Sequence, residues 1–73
     1  MSDHVTDGVI KVIDIIGVSS ESFSAAVRNA VSEASKTIRG ITGVDVIQSS
    51  AKVKDGNITE YHVHVKIAFA LER

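Results

Sequence analysis

The hydrophobic pattern changes period along the chain, and each change marks an element. From Val9 to Gly17 β-branched residues dominate and nothing interrupts the run, which predicts a strand closed by Gly17. Val18-Ser19-Ser20-Glu21 then offers hydroxyls to the free N–H groups of a helix start, with Glu21 where the helix dipole favours a carboxylate. Apolar residues recur at Phe23, Ala26, Val27, Ala30, Val31, Ala34 and Ile38. These spacings of three and four predict one helical stripe of about four to five turns. Lys36 and Arg39 fall in its expected last turn, and Gly40 stands as the stop. A second strand, weaker in pattern, is predicted from Val44 to Lys54, with Gln48, Ser49 and Ser50 in its middle. Asp55-Gly56 is a two-residue hairpin signal. The last strand alternates almost without fault. Thr59, Tyr61, Val63, Val65, Ile67, Phe69 and Leu71 take one face, and Glu60, His62, His64, Lys66, Ala68, Ala70 and Glu72 the other.

The order is β-α-β-β, an α+β fold. A crossover helix lets strand two run parallel to strand one, and the hairpin lays strand three antiparallel to both. The predicted sheet is three-stranded and antiparallel, in the order 2-3-1, with one helix on one face. Residues 1–8 are polar and aperiodic and read as a flexible arm; 9–73 form the single domain.

Composition sharpens this picture. A domain of 73 residues supplies only about 3–5 kcal/mol from its core unless something staples it. With no Cys, disulfides, thiolate zinc sites and cysteine nucleophiles are excluded. Oligomerisation is the remaining staple, and an uncovered sheet face and long edge strands point the same way. The net charge of −1 argues against a nucleic-acid partner. The longest apolar run, Val9 to Ile16, contains Lys11 and Asp14 and is too short for a bilayer, so a cytoplasmic protein without a membrane partner is expected.

Three stretches carry a family resemblance: Lys11-Val12-Ile13-Asp14-Ile15-Ile16-Gly17-Val18-Ser19-Ser20-Glu21-Ser22-Phe23, Ala34-Ser35-Lys36-Thr37-Ile38-Arg39, and Glu60 through Leu71. Over roughly residues 10–72 the chain resembles the dodecins. That resemblance implies a hollow homododecamer which binds a small ligand, in many members a flavin (riboflavin or FMN), and is not an enzyme. The positions matching the flavin pocket are Gly43, Asp45, Ser50 and His62. The family's stacking Trp is replaced by Gly43, its flavin-edge Gln by His62, and an Arg that some members direct at the flavin phosphate by Ser50. A Gly has no π face, and stacking contributes about 0.5–1.5 kcal/mol beyond burial. Stacked flavin is therefore not the expected ligand; a flavin store with a rebuilt pocket is the alternative.

The densest oxygen cluster is Asp55-Gly56-Asn57-Ile58-Thr59-Glu60. Asp55, Asn57 and Thr59 have the alternate spacing that opens a calcium loop, and Glu60 adds a carboxylate. The remainder of an EF-hand is missing, so calcium would need carboxylates from another subunit, such as Asp45 or Glu21. Simple turn chemistry is the competing reading, because Asp-Gly is what a tight hairpin requires. His62 and His64 project from one strand face about 7 Å apart, a spacing open to a metal pair or to a plain wet face beside Lys66. His4 lies on the arm and carries no role. Asn57-Ile58-Thr59 matches a glycosylation sequon, idle without a secretory signal. Ser19 and Ser20 are expected to cap the helix; Arg28, Glu33, Lys36 and Arg39 make a solvated or intersubunit face. No nucleophile, base and oxyanion hole assemble, so no enzyme is expected.

Overall fold

A computed structural model describes residues 8–71. It contains β1 (Ile10–Ser19), α1 (Phe23–Ser35), β2 (Ile41–Lys54) and β3 (Asn57–Ala70). The sheet order is β1-β3-β2, with β3 antiparallel to both neighbours. The expected architecture is the observed one. Most of the expected arm, residues 1–7 with His4, lies outside the described residues, as does Glu72.

The alternation of β3 decides the core. Val63, Val65 and Ile67 are buried beneath Ala26, Ala30 and Ala34 of α1, and Ile13, Ile15, Val27, Val31, Ile38 and Ile41 close in around them. Three alanines let the helix sit close to the sheet. A Cβ added to Gly17 would lie 2.0 Å from the Ala26 carbonyl oxygen and 3.0 Å from the Ala30 Cβ. Gly17 is therefore a close-approach residue rather than a strand terminator, and β1 runs on to Ser19. Phe23 meets Tyr61 edge to face at 4.8 Å, and Asn29 Nδ2 donates to the Val18 carbonyl at 2.8 Å, pinning the helix to β1.

The helix ends differ from expectation. Ser22 is the N-cap, its Oγ accepting from Ala25 N at 3.0 Å. Ser19 instead ties the preceding turn, accepting from Glu21 N at 2.9 Å, and Glu21 lies before the helix rather than in its first turn. Regular helix stops at Ser35, because Lys36 and Thr37 bond three residues back to Glu33 and Ala34. Lys36 and Arg39 are accordingly beyond the last turn. Gly40, at φ +76°, is not the helix stop but the bend into the sheet, where Ala70 N donates to its carbonyl at 3.2 Å. β2 therefore starts at Ile41, three residues earlier than its pattern indicates.

At Asp55 and Gly56 both φ values are positive, 54° and 79°, as the two-residue I′ hairpin requires. The β2–β3 ladder slips register between Ile41 and Gly43, Val46 and Gln48, and Lys52 and Val53. At the second slip Ile47 is the extra residue, so the alternation of β2 changes parity there.

Candidate functional site

Residues paired directly across an antiparallel ladder share a face. The face of the sheet away from α1 therefore carries Ile10, Val12, Asp14, Ile16 and Val18 from β1, and His62, His64, Lys66, Ala68 and Ala70 from β3. From β2 it takes Gly43, Asp45, Gln48, Ser50 and Lys52, paired with Ala68, Lys66, His64, His62 and Glu60. All four positions matching the flavin pocket, Gly43, Asp45, Ser50 and His62, fall on this face. Ser50 and His62 line a depression of about 190 Å³ together with Ile16, Gln48 and His64. Gly43 and Asp45 lie further along the strand and do not line it. A Cβ on Gly43 would meet nothing within 4 Å.

No Phe, Tyr or Trp side chain lies on this face among the described residues: Tyr61 and Phe69 belong to the opposite alternation of β3, and Phe23 packs on Tyr61. The residues present do not fit a stacked isoalloxazine. What they do present is two imidazole–carboxylate pairs. His62 Nε2 lies 2.8 Å from Glu60 Oε1, and His64 Nε2 lies 3.0 Å from Asp14 Oδ1. Lys66 stands between Asp14 and Asp45 in the ladder, two carboxylates against one ammonium.

The oxygen-rich hairpin forms no closed donor set within one chain. Asn57 Nδ2 donates to the Asp55 carbonyl at 3.4 Å, the Thr59 hydroxyl donates to the Lys52 carbonyl at 3.3 Å, and the Glu60 carboxylate faces His62. All four side chains are exposed. Among the described residues no three His, Asp or Glu side chains converge as metal ligands. Glu60 does share a second cleft, of about 440 Å³, with Val18, Ser19, Ser20, Glu21, Ala25 and Asn29. Glu21, expected as a donor from another subunit, thus lines a cleft with Glu60 of its own chain. Arg28, Glu33, Lys36 and Arg39 are exposed, with Lys36 Nζ 3.1 Å from Glu33 Oε1.

The sequence reading missed Asp14 and Gln48 as members of the histidine face. Alternation in β1 separates Asp14 from Ile13 and Ile15, but only the pairing register puts it beside His64. No helix among the described residues is long and apolar enough to cross a membrane.

The fold is thus a three-stranded antiparallel sheet with one crossover helix on one face and a histidine-bearing face left open in the single chain. The dodecin family model matches residues 9–72, and the chain belongs to that family. A dodecin of Thermus thermophilus is 30% identical over 64 residues, covering 88% of this chain and 93% of the relative. The solved dodecin of Streptomyces coelicolor superimposes with a TM-score of 0.89 at 32% identity, covering 94% of this chain and 99% of that one. Calcium dodecin of Mycobacterium tuberculosis, described as a calcium-chelating antigen with a novel calcium-binding site, superimposes with a TM-score of 0.77 at 33% identity, covering 89% and 93%.

Proposed function

We propose that this chain is a non-enzymatic, cytoplasmic binding protein that works as a closed homo-oligomer, twelve copies as in the dodecin pattern, and takes a calcium-class cation in place of stacked flavin. The observation that carries the reading is Gly43. A Cβ there would meet nothing within 4 Å, and among the described residues this face carries no Phe, Tyr or Trp on which a flavin ring could stack. The exposed oxygens of Asp55, Asn57, Thr59 and Glu60 supply a hard cation with part of its six to eight donors; neighbouring copies and water would supply the rest. The calcium dodecin at 33% identity supports the same choice.

A second reading, a riboflavin or FMN store, is favoured by the depression at Ser50 and His62. One experiment separates the two. Calorimetry with Ca²⁺ and Mg²⁺ is run beside titration of riboflavin fluorescence. Saturable Ca²⁺ binding below millimolar concentration, weakened by Asp55→Asn and Glu60→Gln, with riboflavin emission unchanged, supports the first. Quenched riboflavin and no Ca²⁺ heat would replace it with the second.

A further inference from the structure

The calcium reading uses the hairpin and leaves unused the depression lined by Ile16, Gln48, Ser50, His62 and His64. Its two imidazoles stand at alternate positions of one strand, about 7 Å apart along the backbone. Each presents Nε2 to a carboxylate, His62 to Glu60 at 2.8 Å and His64 to Asp14 at 3.0 Å. Those contacts have a chemical consequence. A carboxylate accepts, so each Nε2 carries its proton, and in the neutral ring Nδ1 is then the nitrogen with the free lone pair. A carboxylate behind the distal nitrogen is the support that metal-ligating histidines characteristically have, because it fixes the tautomer and raises ligand basicity. Here two such supported rings line one depression, with the Gln48 amide and Ser50 hydroxyl beside them. Imidazole nitrogen selects borderline ions of the zinc and copper kind over calcium or magnesium.

We infer that His62 and His64 form a two-nitrogen chelate for a late first-row divalent ion of the zinc class, bound through Nδ1 of each ring. Asp14 and Glu60 orient the rings, and Gln48, Ser50 or water complete the coordination. Lys66, the next residue of β3 on this face, stands in register with Asp14 and Asp45, so the ladder sets two acidic residues beside it. The site shares Glu60 with the oxygen-donor hairpin, but its ligating atoms are the two imidazole nitrogens, so the histidine variants and Asp14→Asn test it apart from the hairpin.

The test uses the full chain, stripped with EDTA, on a His4→Gln background that removes the N-terminal imidazole. Zn²⁺ is titrated by calorimetry, Co²⁺ by visible absorption, and the imidazole nitrogens are followed by ¹⁵N NMR without any change to the site. Saturable Zn²⁺ binding that moves the Nδ1 resonances of both His62 and His64, and persists in excess Ca²⁺, is expected. His62→Gln and His64→Gln should each weaken it more than tenfold, and Asp14→Asn and Glu60→Gln roughly 10–100-fold as supporting groups. Unmoved Nδ1 resonances in the unsubstituted pair would overturn the assignment, even if every variant failed to fold. So would Zn²⁺ that is displaced by Ca²⁺, or that binds both glutamine variants undiminished.

Discussion

Gly17 and Gly43 are the same residue type on the same sheet and carry opposite demands. At Gly17 the space for a side chain is filled by the backbone of Ala26, so Gly17→Ala must push α1 off β1. A cost of at least about 1–3 kcal/mol is expected, read as a lowered urea midpoint. Gly43 meets nothing, and Gly43→Trp should leave the unfolding midpoint where it is. It should also restore a stacking surface worth about 0.5–1.5 kcal/mol, so riboflavin quenching should appear or strengthen by roughly 2–10-fold. Quenching that the tryptophan leaves unchanged would remove Gly43 as the reason stacked flavin is disfavoured. Spacing alone does not separate these glycines, because what distinguishes them is the neighbour each would strike.

At the scale of the element, the helix shows how local chemistry and tertiary constraint divide the work. Its apolar stripe set its direction and buried face, and Ala26, Ala30 and Ala34 are indeed the residues laid on Val63, Val65 and Ile67. Its ends were less legible. Four serines between positions 19 and 24 can each imitate a cap, and Ser22 wins because the chain leaves β1 only after Ser19. Ser22→Ala is expected to cost about 1 kcal/mol of stability and Ser20→Ala almost nothing; equal thermal shifts for the two would contradict the assignment. The hairpin is the opposite case, since Asp55-Gly56 alone specified its turn. Gly56→Ala, forced to hold φ near +79°, should lose about 1–2 kcal/mol.

The whole molecule exposes what one helix leaves uncovered. A helix of 13 residues is about 20 Å long, whereas a strand of 14 residues extends roughly 46 Å. Among the described residues Ile10, Val12, Ile16, Val18, Val46, Ile47, Val53 and Ile58 all stand at least 43% exposed in the single chain. β1 and β2 are open edges. Copies of this chain are the covering partner the proposal requires, and light scattering coupled to size exclusion should give about 94 kDa for twelve chains of 7.8 kDa. Two substitutions divide the contributions. Ile67→Ala, fully buried within the subunit, should cost about 2–5 kcal/mol wherever the subunit is. Val46→Asp, 56% exposed in the subunit, should lower the assembled mass while circular dichroism keeps its strand signal. A folded 8 kDa species from the unsubstituted chain would end the oligomer reading.

The sequence by itself determined the order of elements, the sheet order, the hairpin turn and the inward face of β3. These follow from strict alternation, a helical stripe and a turn dipeptide, each a local signal. Tertiary structure decided the membership of the open face. Asp45 and Ser50 are an odd number of residues apart, and simple alternation would put them on opposite sides. The extra residue at Ile47 shifts the parity and returns Gln48, Ser50 and Lys52 to the face of Asp45. Likewise, only the β1–β3 register sets Asp14 beside His64, fifty positions away. A bulge and a strand register are long-range choices, fixed by how three strands pack under one helix, and no short window of sequence contains them.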